Sequence, residues 1–175
     1  DSELTPKSIG VVQHLEMLCE DFKPEGEIFD NFLMNTVIPY VENNFPVCTD
    51  RQNVAVCGSS SGGLMSFFSA FEHPEKFGYA GVFSPAFLCY TREDWEKYLS
   101  TKIVENMPYL YIYTGNGDEF EEMIFESTEM LYELLEESFY PYDRMNEVIL
   151  FENAHNEKSW REIFPDFLHT FLSRL

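Results

Sequence analysis

The 175-residue sequence has few basic side chains, and this shortage restricts the partners that it can bind. It contains 11 lysines and arginines against 31 aspartates and glutamates, which gives a formal net charge of −20 at pH 7. Nucleic acids and anionic membrane surfaces repel such a charge, so we expect neither of them as a partner. The charge by itself does not identify a substrate.

Metal-binding and redox motifs are also missing. The four cysteines, Cys19, Cys48, Cys57 and Cys89, form no C-x-x-C pair, which disfavours a structural zinc site and a redox dithiol. We therefore expect no metal and no cofactor. We interpret the cysteines as buried or incidental thiols of a reducing compartment, the cytoplasm.

Long apolar runs and an initiator methionine are absent as well. No run approaches the roughly 20 apolar residues of a membrane span, and the first residues, Asp1-Ser2-Glu3-Leu4, do not resemble a signal peptide. Because the chain starts without methionine, we interpret Asp1 as a processing or truncation boundary. Apolar residues make up 45% and aromatic residues 17% of the chain, enough for the core of a single domain over residues 1–175.

After residue 27 the apolar pattern alternates between helix-like and strand-like segments. It predicts strands at residues 53–57, 79–83, 109–114 and 147–151, and helices at residues 28–43, 64–72, 120–138 and 159–173. Strands that alternate with helices are typical of βαβ units, so we expect an α/β fold with a mainly parallel sheet between two helical layers. In such folds ligands bind beyond the carboxyl ends of the strands.

The first predicted strand ends in a serine- and glycine-rich run, Gly58-Ser59-Ser60-Ser61-Gly62-Gly63. Such a run is usually a flexible loop, but this one lies directly between a predicted strand and a predicted helix. That is the context of the G-x-S-x-G nucleophile elbow, in which Gly58 and Gly62 relieve crowding. Ser60 would then point its hydroxyl away from the sheet, and the amide of Ser61 could donate to an oxyanion.

A serine nucleophile needs a base, and His155 is the best placed of the four histidines. It follows the predicted strand 147–151, and from that position an imidazole can reach a serine above the sheet. An exposed loop histidine is the alternative. His73 and His169 are more typical of surface or capping residues, and His14 lies in an N-terminal stretch without a clear pattern.

Asp118 follows the third predicted strand and is our candidate for the carboxylate that orients the imidazole. The alternative role for Asp118 is to cap the N-terminus of the next helix. We expect the neighbouring glutamates at positions 119, 121 and 122 to begin that helix, where carboxylates favour the positive end of the dipole. Ser60, Asp118 and His155 then follow three different strands in the chain order of the α/β-hydrolases.

With these motifs the sequence resembles the esterase family of the α/β-hydrolase superfamily that includes esterase D, enterochelin esterases and feruloyl esterases. The similarity runs from about residue 29 to the C-terminus and rests on residues 56–63, 73–78, 83–87, 113–118 and 155–160. The resemblance implies that Ser60 is the nucleophile, Asp118 the acid and His155 the base. It also implies a small-molecule ester as the substrate.

Three further residues of these motifs, Ser59, Phe87 and Trp160, are predicted to bind substrate. The aromatic residues near the strand ends could line a site for phenolic or sugar esters. Aromatic residues in such positions are, however, more typical of a hydrophobic core.

The upstream part of the chain departs from the family. Relatives have several strands before the nucleophile strand, and a loop among them supplies the second oxyanion donor, whereas only 52 residues precede Asn53 here. We therefore expect a domain shortened at its N-terminus that lacks the first strands of the family sheet. The strand at residues 53–57 would then be an edge, through which two copies could form a homo-oligomer.

We interpret the sequence as that of a serine esterase that works through an acyl-enzyme. Three alternatives stay open. One is an acyltransferase of the same family, and another is a peptidase with the same groups and a cleft for an extended chain. The third is a non-catalytic or weakly active fragment or binding module that retains the elbow.

Overall fold

The protein, described here from a computed structural model, contains a four-stranded parallel sheet. The structure describes residues 2–14, 22–102 and 106–174, so Cys19 lies outside it. The strands are β1 (Ala55–Ser59), β2 (Tyr79–Phe83), β3 (Tyr109–Gly115) and β4 (Met145–Leu150). Each strand pairs in parallel with the next along the chain, in the order β1-β2-β3-β4. The four predicted strands are confirmed, although β1 and β4 are each displaced by two residues from their predicted start.

Helices connect the strands and close the chain. They are α1 (Gly26–Phe32), α2 (Ile38–Asn44), α3 (Ser61–Glu72), α4 (Arg92–Lys102), α5 (Glu119–Glu137) and α6 (Glu157–Leu172). The mainly parallel α/β architecture that the pattern predicted is confirmed. None of the described helices is long and apolar enough to cross a lipid bilayer.

The strand β3 lies at the centre of the core because both of its faces are covered. All seven of its residues are buried. Leu110 and Ile112 belong to a large apolar cluster that includes residues of α3, α4 and α5. Tyr111 and Tyr113 face a second cluster, built around Ile163 and Phe167 of α6. A strand buried on both faces explains why β3 is apolar throughout and does not alternate.

The sequence pattern missed α4, which follows the short turn after β2. Its buried residues, Trp95, Tyr98 and Leu99, recur at helical spacing. Its start is also marked, because the amide of Asp94 donates to the Thr91 hydroxyl (3.2 Å) and the Thr91 amide donates back to the Asp94 carboxylate (3.3 Å). In the sequence, the corresponding signals are Thr91 followed three residues later by Asp94, and the helical spacing of the apolar residues.

The predicted helix at residues 28–43 extends over residues 26–44, with a π-helical stretch at Leu33–Val37 between α1 and α2. Pro39 explains the irregularity. Proline has no backbone N–H to donate to the carbonyl four residues earlier, and a wider π turn next to it accommodates the missing bond. The irregularity thus lies just before Pro39, and the helix continues beyond it to Asn44.

Strand β1 is an edge of the sheet. In the described part of the chain it pairs only with β2, so the backbone groups on its other side are not used by the sheet. Cys57, at its centre, is exposed. The prediction that the nucleophile strand forms an edge is therefore confirmed for the described residues.

Strand β4, at the other edge of the sheet, carries a carboxyl group in an unfavourable environment. Burial and the neighbouring carboxyl groups of Glu129 and Glu136 raise the pKa of Glu147 to about 8. One carboxyl oxygen of Glu147 is buried without a hydrogen-bond partner among the described residues. The folded state therefore holds a proton at Glu147 that the unfolded chain, with a carboxyl pKa near 4.3, releases.

We predict that Glu147→Gln removes a pH-dependent loss of stability. Below about pH 4 Glu147 is protonated in both the folded and the unfolded chain, so it does not make stability depend on pH there. As the pH rises from about 4 through about 8, only the unfolded chain loses this proton, and the free energy of unfolding falls. The glutamine variant should be more stable than the wild type at pH 9, and the gain should shrink at pH 5. Urea unfolding at the two pH values measures this difference.

A matched control is Glu126→Gln, which removes the same charge from an exposed position on α5. An equal gain in both variants would attribute the effect to the overall negative charge and contradict the role of Glu147.

Candidate active site

Ser60 lies in a strained turn between β1 and α3. Its backbone angles are φ 58° and ψ −125°, a left-handed conformation that few non-glycine residues adopt. Two hydrogen bonds hold the turn, because the Ser60 amide donates to the Phe83 carbonyl (2.9 Å) and the Ser60 carbonyl accepts from the Ala86 amide (3.1 Å). The loop after β2 therefore keeps Ser60 in this conformation, as in a nucleophile elbow.

The glycines around Ser60 explain why the chain can turn so sharply. A Cβ atom on Gly58 would lie 2.5 Å from the carbonyl oxygen of Gly62, and one on Gly63 would lie 2.8 Å from the carbonyl oxygen of Phe83. A Cβ atom on Gly62 would meet nothing within 4 Å. The steric prediction is thus confirmed for Gly58 and wrong for Gly62, since the second position that excludes a side chain is Gly63.

The structure brings the imidazole of His155 to Ser60. His155 lies in the loop between β4 and α6, and its Nε2 is 2.9 Å from the Ser60 hydroxyl oxygen. The other ring nitrogen, Nδ1, is 2.6 Å from a carboxylate oxygen of Glu121. Since a carboxylate only accepts hydrogen bonds, this contact places the proton of a neutral imidazole on Nδ1 and leaves Nε2 facing the serine as the acceptor.

The carboxylate of Glu121 is completely buried and is satisfied by hydrogen bonds. Its second oxygen accepts from the Ser84 hydroxyl (2.6 Å) and from the Gly115 amide (2.8 Å). With the contact to His155, three donors surround one carboxylate, two from the loops after β2 and β4 and one from the end of β3. Such bonds offset the cost of removing a charged group from water.

Asp118 does not contact the imidazole ring, and the prediction that it orients His155 through the ring is wrong. Its carboxylate accepts from the backbone amide of Glu121 (2.8 Å) and from the backbone amide of His155 (2.9 Å). These two bonds lower the pKa of Asp118. Asp118 is thus the N-cap of α5, the alternative role that the sequence left open, and it also ties the histidine loop to that helix.

The sequence contained a signal for Glu121 that the prediction did not use. The sequence predicts Glu121 as part of the acidic first turn of α5. At helical spacing, however, Glu121 lies on the same face of α5 as Ile124, Thr128, Leu131 and Leu135. All of these residues are buried. An acidic residue on the apolar face of an amphipathic helix is a candidate for a buried functional carboxylate.

Ser84 and Trp160 support the carboxylate oxygen of Glu121 that does not contact His155. Ser84 is fully buried with φ 40°, and its hydroxyl accepts a hydrogen bond from the indole N–H of Trp160 (2.9 Å) while it donates to Glu121. The rings of Trp160 and Phe120 also meet the ring of His155 edge to face, at centroid distances of 5.0 and 4.6 Å. The imidazole is therefore held by a carboxylate and by two aromatic rings.

The remaining predicted site residues differ in their positions. Ser61 is the first residue of α3 and Ser59 the last of β1, so both flank Ser60.

Phe87 is fully buried and packs against Phe67 and Trp95. The prediction that Phe87 binds substrate is wrong, because a side chain without exposed surface belongs to the core.

The other described histidines lie outside this site. His73 contacts the carboxylate of Asp30 (2.6 Å), whose other oxygen accepts from the Ser69 hydroxyl (2.6 Å). His169 is exposed on α6, and His14 belongs to the N-terminal segment. Among the described residues, no group of three or more histidine, cysteine or acidic side chains is placed to hold a metal ion.

Comparison with known proteins identifies relatives of this chain. A family model described as "Putative esterase" matches residues 18–171. A curated protein of Xylanibacter ruminicola, "Endo-1,4-beta-xylanase/feruloyl esterase", is 32% identical over 107 residues, which are 61% of this chain and 13% of that protein.

Solved structures share the fold at low sequence identity. The enterochelin esterase from Shigella flexneri superposes with a TM-score of 0.69 and 19% identity over 82% of this chain and 36% of that one. The siderophore hydrolase EstA from Aspergillus nidulans superposes with a TM-score of 0.69 and 20% identity over 95% of this chain and 65% of that one. The chain thus spans about a third of the first structure and about two thirds of the second.

We predict that the His155 Nδ1 proton gives a downfield proton resonance that depends on Glu121. A proton in a short hydrogen bond to a buried carboxylate is strongly deshielded. The resonance should be present in the wild-type protein, lost in Glu121→Gln and retained in Asp118→Asn. Proton NMR of the protein labelled with 15N-histidine measures it. A resonance that survives in Glu121→Gln but disappears in Asp118→Asn would contradict the geometry.

Proposed function

The chain belongs to the esterase family, and we propose that it hydrolyses carboxylic esters with Ser60 as nucleophile, His155 as base and Glu121 as the acidic residue. The observation that carries this proposal is the continuous chain of contacts from the Ser60 hydroxyl through both nitrogens of His155 to the buried carboxylate of Glu121. This arrangement has the elements of a serine, histidine and acid triad.

In the first half of the proposed reaction, Ser60 becomes acylated. Its Oγ attacks the ester carbonyl carbon while His155 Nε2 removes the hydroxyl proton, and the carbonyl electron pair moves onto oxygen. When this tetrahedral intermediate collapses, the bond to the alcohol oxygen breaks and His155 returns the proton to the departing alcohol. An acyl-enzyme on Ser60 remains.

In the second half, water replaces the alcohol. His155 Nε2 takes a proton from the water as it attacks the acyl carbon, and then gives that proton to Ser60 Oγ when the carboxylic acid leaves. Glu121 keeps its hydrogen bond to Nδ1 throughout and stabilises the positive charge that forms on the imidazole twice in each cycle.

Ser61 is the proposed oxyanion donor. It is the first residue of α3, and the amides of a first helical turn point toward the space beyond the helix end. Loss of one oxyanion donor typically costs roughly 2.7–4 kcal/mol of transition-state stabilisation. A backbone donor cannot be removed by a side-chain substitution. We therefore assign this role to Ser61 from its position after Ser60 at the start of α3.

The proposed substrates are small esters, including those of phenolic acids, acylated sugars and siderophores. Support comes from the names of the relatives, a feruloyl esterase, an enterochelin esterase and a siderophore hydrolase. It also comes from the half-buried rings of Trp160 and Phe120 beside His155, which could contact an aromatic acyl group. We keep Trp160 and Ser59 as proposed substrate-binding residues on this basis.

We predict that three variants separate the roles in the site. With p-nitrophenyl acetate, Ser60→Ala should reduce turnover to the rate in buffer. Glu121→Gln should lower kcat by on the order of 10²–10⁴, because the imidazole loses the group that orients and stabilises it. Asp118→Asn should retain most of the activity, because its backbone contacts hold the loop rather than the ring. Steady-state kinetics at pH 7–8 provide the measurement.

A fluorophosphonate probe distinguishes loss of activity from loss of the site. Covalent labelling of wild-type Ser60 supports a working serine nucleophile. A folded wild-type protein that neither turns over ester nor reacts with the probe would favour the binding-module alternative. Product analysis with an added alcohol would identify an acyltransferase, because the acyl group would then pass to the alcohol instead of to water.

We further propose that two copies of the chain can associate through the open edge of β1. An edge strand presents backbone donors and acceptors to a second strand, and no strand among the described residues pairs with the outer side of β1. Pairing of two β1 strands around a two-fold axis would be self-complementary.

We expect a dimer in sedimentation velocity that Cys57→Lys converts to monomer. The side chain of Cys57 is exposed at the centre of β1, and a charged side chain there disfavours edge pairing. Cys48→Lys, at an exposed position outside the strand, is the matched control and should remain dimeric. A wild-type protein that sediments as a monomer over a wide concentration range would contradict the proposal.

A further inference from the structure

Three of the five arginines of the chain line a single cavity. Arg51, Arg144 and Arg174 surround a space of about 560 Å³, together with Gln52, Gly78, Tyr79, Tyr109 and Asp143. Tyr79 and Tyr109 are the first residues of β2 and β3. The cavity therefore lies at the amino ends of the strands, whereas Ser60 lies at a carboxyl end of the same sheet.

The charge of the cavity is opposite to that of the chain. Three arginines and one aspartate give its lining a formal charge of 3 − 1 = +2, on a protein whose net charge is −20. Arginines in an acidic protein normally find carboxylate partners. Arg92 shows this, because its guanidinium lies within 3.3 Å of glutamates 96, 133 and 137.

The three cavity arginines make no such pair in the described residues, where all arginine ion pairs belong to Arg92. Arg51 is held instead by backbone carbonyls, to which it donates at 2.6 Å (Pro74), 2.7 Å (Asn106) and 3.4 Å (Phe77). Neutral carbonyls fix the position of the Arg51 guanidinium without forming an ion pair, and the Glu75 carboxylate acts on its charge only from beyond ion-pair distance.

Arg144 and Arg174 are also positioned by uncharged groups. Arg144 donates to the Met107 carbonyl (2.8 Å), and Arg174 donates to the Asp143 carbonyl (3.5 Å) with its guanidinium 4.0 Å from the centre of the Tyr109 ring. Each guanidinium has five N–H donors, and these contacts use one donor in each. Within the part of the chain that the structure describes, donors are thus left over at both residues for a ligand.

The arginines also act on one another. Burial and the positive charge of Arg144 lower the pKa of Arg51, although a guanidinium stays charged at physiological pH. Repulsion between these fixed positive charges is electrostatically unfavourable. A bound anion would remove this repulsion.

We propose that this cavity is a binding site for a phosphate group, either free or carried by a small metabolite. The planar fork of donors on arginine matches the oxygens of phosphate, and the charge of +2 balances a phosphate dianion. The volume lies within the range of about 300–1,000 Å³ that is typical of small-molecule sites. It exceeds the need of a bare phosphate ion, and the partly exposed ring of Tyr79 is available to the rest of a phosphorylated compound. Nucleic acid is excluded as the source of the phosphate by the net charge of the chain.

Phosphate binding is tested by thermal unfolding and 31P NMR at constant ionic strength. Inorganic phosphate and glycerol phosphate are titrated against the whole chain, with sodium chloride adjusted and with glycerol as the uncharged control. We expect a saturable rise of the Tm and a saturable broadening of the 31P signal. Tighter binding of glycerol phosphate than of inorganic phosphate would identify a phosphorylated metabolite as the ligand, and the reverse order would identify free phosphate.

Variants locate the binding. Arg144→Gln and Arg174→Gln should each weaken phosphate binding at least about tenfold, since each removes a charged donor from the anion. Arg161→Gln is the matched control, because it removes the same charge from an exposed position on α6 outside the cavity. It should bind phosphate like the wild type.

Two results would contradict phosphate binding in this cavity. Either the absence of saturable binding, or equal weakening by Arg161→Gln and Arg174→Gln, would show that the cavity is not the site. Arg174 is exposed near the C-terminus, so its variant should fold even if replacement of Arg144 disturbs the turn before β4. Ester hydrolysis does not enter these readouts, and they stay valid whatever the activity at Ser60.

Discussion

The buried carboxylate of Glu121 is the constraint on which the rest of the site depends. A charged group without contact to water must be surrounded by donors, and this one receives them from the loop after β2, the end of β3 and the loop after β4. These three segments are thereby fixed relative to one another. Glu121 holds His155 in place, and His155 in turn contacts the Ser60 hydroxyl.

The parallel sheet makes this convergence possible. Because all four strands run in the same direction, their carboxyl ends meet along one edge of the sheet, and each of the residues involved follows a different strand or begins the helix after it. The backbone conformations of Ser60 and Ser84, both with positive φ, show what the convergence costs locally. The amides of both serines donate to a carbonyl of the neighbouring strand, Ser60 to Phe83 and Ser84 to Tyr113, and these bonds compensate for the strain.

The two ends of the sheet differ in charge as well as in geometry. The carboxyl end places a buried carboxylate against a histidine, and the amino end gathers three arginines around tyrosines. The chain has few basic residues, and three of its five arginines lie at the amino end, where backbone carbonyls accept hydrogen bonds from their guanidinium groups. The arginines thus lie at the end of the sheet opposite to the serine site.

The sequence by itself determined the alternation of strands and helices, the elbow at Ser60 and the histidine at position 155, because local spacing and turn chemistry are written along the chain. It could not decide between two carboxylates three residues apart. Asp118 occupies the expected position after β3, yet its side chain caps α5, and Glu121, one helical turn later, reaches the imidazole. That choice was made by the rotation of α5 against the sheet, which turns the face carrying Glu121 inward. The apolar spacing of α5 marks Glu121 as a buried residue, but only the packing of that helix against the sheet decides which carboxylate reaches the imidazole.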